Sequence, residues 1–122
     1  MKLIMIKENE IKKNLIVLLS ISALIRGFLA FFIEFGNDEV YYWTYAMYPD
    51  WSHFDHPPMV GLFIQLFSGN LFFTSEFFLR LSSVICMTVN TYLIFLIGKQ
   101  VKNEQTGFYA ALLYTASIYA FV

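Results

Sequence analysis

Three long apolar runs and one short one alternate with polar segments along this chain. A polar start, Met1 to Asn14, carries Lys2, Lys7, Lys12 and Lys13 and leads into a mostly apolar run from Leu15 to Ile33. As a helix that run is roughly 28 Å long, about one hydrocarbon thickness. A cleavable signal peptide would have a shorter apolar core ending in small residues. Here the run ends in Phe31-Phe32-Ile33-Glu34, which favours an uncleaved transmembrane helix. A second long run extends from Phe77 to Ile97, and a third opens near Phe108 and continues to Val122. The short run, Met59 to Phe67, is roughly 13 Å long as a helix and cannot span a bilayer. Pro58 suits the start of that helix. Met59, Phe63, Leu66 and Phe67 can share one face. The pattern predicts a helix lying in the membrane interface and ended by Ser68-Gly69-Asn70.

The polar segments set an orientation. Between the first two long runs stand Glu34, Asp38, Glu39, Asp50, Asp55 and Glu76, with no Lys or Arg before Glu76. Lysines collect instead in the N-terminal tail and at Lys99 and Lys102. Cytoplasmic flanks are rich in Lys and Arg. The N-terminus is therefore expected inside, the segment 34–76 outside and the second connection inside. The predicted fold is all-α: polytopic transmembrane helices at about 15–33, 77–97 and 108–122, with a non-cytoplasmic loop carrying short interfacial helices.

Composition agrees. The 122 residues are 58% hydrophobic and only 14% charged, whereas soluble domains are about 25% charged. A net charge of −1 gives no sign of a nucleic-acid partner. Cys86 is the only cysteine and lies in an apolar run, which excludes an intrachain disulfide and suits an inert buried thiol. The sequence stops at Ala120-Phe121-Val122, inside its third apolar run, and so reads as the N-terminal part of a longer protein.

Several residues carry candidate chemistry. Asn37 is a good N-cap, which would place Asp38 and Glu39 in a first helical turn, where acids favour the helix dipole. Tyr41, Tyr42, Trp43, Tyr45, Tyr48, Trp51 and Phe54 suit an interfacial aromatic belt. His53, Asp55 and His56 fall within four residues and could ligate a metal, although their spacing matches no zinc pattern. Pro57 biases His56 toward extended backbone, as in a turn that presents side chains. Two arginines fall within the long runs. Arg80 is close enough to the helix end to snorkel. Arg26 is deeper, where an ionisable group calls for an acid or an anionic ligand as partner.

Taken in order, Arg26, Asp38-Glu39-x-Tyr41-Tyr42, Phe54-Asp55-His56-Pro57-Pro58 and Phe77-x-x-Arg80-Leu81-Ser82-Ser83 resemble the C-type membrane glycosyltransferases. The branch resembled contains protein O-mannosyltransferases and lipid A aminoarabinose transferases. The resemblance runs from about Arg26 to the C-terminus. It implies a polyprenyl-phosphate sugar donor, a lipid, glycan or protein acceptor, and transfer on the outer face of the plasma membrane. It also implies a catalytic acid at Asp38, with Glu39 as the second acid of the pair. In aminoarabinose transferases a Lys precedes the Pro-Pro pair and meets the donor phosphate; His56 stands there in this chain. Arg26, His56 and Arg80 are the expected donor-phosphate residues. No cofactor is implied and no metal ligand is assigned, a divalent cation being the one addition left open. Two other readings compete: a non-catalytic small membrane subunit or truncated remnant, and a metal-binding module built on His53, Asp55 and His56.

Overall fold

The computed structural model describes residues 8–34 and 36–117. Its elements are α1 (Glu8–Phe32), α2 (Asn37–Met47), α3 (Met59–Phe67), α4 (Glu76–Val101) and α5 (Glu104–Ala116), with no strand among the described residues. The all-α expectation holds. Among the described residues, α1 and α4 are the two helices long and apolar enough to cross a membrane. α1 starts earlier than the apolar run because the polar segment before Leu15 is helical too. The third expected span, 108–122, is described only through Ser117, and its described part is the C-terminal portion of α5; its remainder lies outside the described residues.

The chain divides into two compact units, Met1–Arg26 with Ile85–Val122, and Gly27–Val84. In the first unit, Ile11 and Leu15, one helical turn apart, meet Phe95 of α4 and Ala111 of α5 in a buried cluster. The antiparallel partners α4 and α5 approach through Gly98 and Gly107. A Cβ on Gly98 would lie 2.7 Å from the Gly107 Cα, so only hydrogen fits there. Asn103 caps α5, its Oδ1 accepting from the Thr106 N–H at 2.9 Å, and Lys99 pairs with Glu104 across the turn at 2.6 Å. That pairing holds the Glu104 carboxyl below its ordinary range.

The second unit is organised by α2 packed on α3. Ala46, Ile64 and Leu79 form its buried centre, with Tyr42, Trp43, Val60 and Leu71 against them. Gly61 lets α3 lie directly on the α2 backbone at Tyr45. The Ala46 carbonyl near the end of α2 accepts from Gln65 Nε2 at 2.9 Å, satisfying a group the helix leaves open. α3 matches the predicted bounds; Gly61 and Ile64 are buried, and of the four residues expected to share a face Met59 and Leu66 are exposed, as is Leu62, while Phe63 and Phe67 are half-buried. It ends where expected, with Gly69 at φ +62° and Ser68 Oγ accepting from the Leu71 N–H.

Candidate active site

The acids Asp38 and Glu39 sit in the first turn of α2, as the sequence predicts, but the cap is one residue earlier. Gly36 is the N-cap, and its N–H donates to Glu39 Oε2 at 2.9 Å. Asn37 is instead the first helical residue. The reason is reciprocal: a glutamate three residues into a helix can reach back to the cap backbone, and doing so fixes the cap at Gly36.

Successive helical residues point about 100° apart, so the two neighbouring acids meet different surroundings. Glu39 faces Arg80 of α4. Arg80 Nε donates to Glu39 Oε1 and Nη2 to Oε2, each at 2.6 Å, a two-point carboxylate clamp. The clamp holds the Glu39 carboxyl below its ordinary range, the Arg80 hydrogen bonds outweighing the opposing effect of burial. The same guanidinium reaches the carboxyl end of α1. Its Nη1 donates to the Ala30 carbonyl at 3.2 Å and to the Ile33 carbonyl, and its Nη2 to the Glu34 carbonyl at 3.0 Å. A guanidinium has five N–H donors, and these bonds engage all five. Asp38 is exposed and has no hydrogen bond or ion pair among the described residues.

Asp38, Tyr42 and Tyr45 recur at helical spacing and share a face of α2. The segment from Asp50 to Pro58 docks on that helix. Its hub is Asp55, whose Oδ1 accepts from the Tyr45 hydroxyl at 2.5 Å and from the Tyr41 hydroxyl at 3.2 Å, and lies 3.1 Å from His56 Nδ1. These contacts, the Tyr45 hydroxyl first, lower the Asp55 carboxyl to about 2. Burial and the bond to Asp55 push the Tyr45 phenol far above its ordinary range. The His53 ring stacks on Tyr45 at 3.8 Å between centroids, and the His53 backbone N–H donates to the His56 carbonyl. His56 Nε2 is 3.3 Å from the Tyr42 hydroxyl. The imidazole thus meets a phenol at Nε2, and its buried Nδ1 lies within ion-pair distance of a carboxylate without a hydrogen bond to it.

His56 and Tyr42 also border a cleft of about 410 Å³, whose other walls are Pro57, Met59, Val60 and Phe63. A polar rim over an apolar floor suits a ligand with a charged head and a hydrocarbon tail. A smaller cavity of about 70 Å³ lies between the Glu39–Arg80 pair and Trp43, Ile64 and Leu79.

The structure therefore brings Glu39 to Arg80, and His56 to the Asp38-bearing helix through Tyr42. Arg26 belongs to the first unit, where it is buried with 5% exposure. Sequence reasoning took Asp55 only as a candidate metal ligand and the tyrosines only as a belt. Their spacing was a usable signal, since Tyr41 and Tyr45 stand four apart on one helical face. His53, Asp55 and His56 do not form a chelating cluster. Among the described residues, no group of three or more His, Cys, Asp or Glu is arranged to hold a metal ion.

A family model described as dolichyl-phosphate-mannose-protein mannosyltransferase matches residues 55–122. That stretch is more than half of the chain. It includes Asp55, His56 and Arg80 and begins after Asp38 and Glu39. No curated protein and no solved structure matches the chain.

Proposed function

The chain belongs to the dolichyl-phosphate-mannose-protein mannosyltransferase family, a glycosyltransferase family, and on that premise we propose that it transfers a sugar from a polyprenyl-phosphate donor with Asp38 as the base. The observation that carries this assignment is the contrast between the two acids. Glu39 is engaged by Arg80 and Gly36, whereas Asp38 is exposed and uncommitted, on the face that reaches His56 through Tyr42.

In the proposed reaction the Asp38 carboxylate takes the proton of an acceptor hydroxyl. The acceptor oxygen bonds to the anomeric carbon as the bond from that carbon to the phosphate oxygen breaks. The electron pair leaves on the phosphate. A phosphate leaving group needs nearby positive charge or hydrogen-bond donors. His56, oriented by Tyr42 and neighbouring Asp55, supplies that support in this reading. The donor's hydrocarbon would occupy the cleft over Met59, Val60 and Phe63, beside a helix whose outward residues are apolar. Two helices long and apolar enough to cross a membrane, α1 and α4, support a membrane location. The distribution of lysines supports a cytoplasmic N-terminus and an external loop.

The test is Asp38→Asn in the full-length protein, in native membranes, with polyprenyl-phosphate mannose as donor probe. Loss of a general base lowers turnover by about 10²-fold or more. Wild-type turnover by a correctly inserted Asp38→Asn variant would remove Asp38 from that role.

A further inference from the structure

The sequence offers Arg80 as a ligand for the donor phosphate and Glu39 as a second catalytic acid. The structure assigns them a different task. We infer that Arg80 and Glu39 are positioning residues, locking the carboxyl end of α1 to the first turn of α2 and so fixing the place from which Asp38 works. This rests on the proposed role of Asp38.

The argument begins with donors and acceptors. α1 ends at Phe32 and α2 begins at Asn37, so the connection is short. At its start are carbonyls that α1 leaves without intrahelical partners. Arg80 takes those of Ala30, Ile33 and Glu34. At its end is Glu39, which holds the Gly36 N–H with one oxygen and Arg80 with both. One planar group therefore sets both ends of the connection, with Asp38 adjacent in sequence to its anchor. The Arg80 side chain is only 13% exposed, against 39% for Glu39. To serve a phosphate, Arg80 would have to leave a carboxylate and helix-end carbonyls without partners, at a large cost in a half-buried site. Lysine cannot replace it, because an ammonium is a point charge with three donors and no fork.

The experiment pairs hydrogen exchange with kinetics, in the full-length protein in lipid nanodiscs. Arg80→Lys, and the milder Glu39→Gln, should raise exchange over residues 30–44 by about tenfold while residues 59–67 and 104–116 stay within about twofold. With polyprenyl-phosphate mannose as the probe, kcat should fall by about 10- to 100-fold and the donor KM should change less than about twofold, as misplacement of a reacting group predicts. Added to Asp38→Asn, Arg80→Lys should lower turnover no further, because it acts through the residue already removed. A raised donor KM with kcat retained would overturn the inference and return Arg80 to the phosphate. So would unchanged exchange over 30–44, a uniform rise along the whole chain, or additive losses in the double variant. If the wild-type protein transfers nothing from the probe, the glycosyl-transfer reading falls for that donor, while the exchange data still decide whether the lock exists.

Discussion

Gly61→Ala tests the packing that holds the loop against α2. A Cβ at this position would stand 2.8 Å from the Tyr45 carbonyl oxygen, 2.9 Å from its carbon and 3.0 Å from its Cβ. Carbon contacts are comfortable only at about 3.5 Å and beyond, so α2 and α3 must part by about half an ångström. Two of the three neighbours are backbone atoms, and no side-chain rotation relieves the clash. The methyl group has one benefit, since alanine is better than glycine inside a helix by about 0.8–1.0 kcal/mol. Overpacking at a tight contact costs about 1–3 kcal/mol. The separation also loosens fully buried Ala46 and stretches the Gln65 bond to its carbonyl. The balance is a net loss of about 1 kcal/mol, roughly a fivefold rise in opening. Hydrogen exchange in lipid nanodiscs should show that rise over residues 42–47 and 59–67. Gly27→Ala is the control, because its nearest neighbour would be Phe77 Cε2 at an ordinary 3.9 Å; it should raise exchange nowhere. Protection of Gly61→Ala equal to or better than wild type would refute the steric reasoning.

Two further outcomes follow from the loop. The folded value of the Asp55 carboxyl, about 2, is depressed below its ordinary one. Its contacts therefore contribute fully above its ordinary range and are lost progressively as pH falls from there through the folded value. Exchange over residues 50–58 should stay slow down to about pH 4 and accelerate progressively toward about pH 2, while Asp55→Asn should release the loop already at neutral pH; release already complete at about pH 4 would contradict this account. For His56, alanine should raise the donor KM by about tenfold and lysine should largely restore it, as expected for a group that meets the donor in ground and transition states alike. An unchanged KM in His56→Ala would place the phosphate elsewhere.

The elements were largely legible because they are written in local patterns. An apolar run of bilayer length specifies α1 and α4 whatever surrounds it. The bounds of α3 follow from Pro58 at one end and Gly69 at the other, whereas which of its residues turn inward was decided by its packing on α2. The cap of α2 was displaced by one residue because the choice between Gly36 and Asn37 depends on where the Glu39 side chain goes. α5 could be read only as an apolar run, and its close approach to α4 depends on two glycines nine residues apart, Gly98 and Gly107, meeting across a turn.

The site divides along the same line. Sequence alone determined that Asp38 and Glu39 would share a helical turn and that His56 would enter a turn before Pro57-Pro58, since each depends on residues a few positions away. It also carried enough of the ordered motif to indicate the family. It could not separate the two acids, because adjacent carboxylates with the same local propensities differ only in what lies opposite them. That was decided by contacts across the fold: Arg80, forty-one positions from Glu39, and Asp55, ten from Tyr45. Such pairings depend on how chain segments return on one another, which local propensity and periodicity leave open. The tertiary structure thus turned one acid into an anchor and left its neighbour exposed.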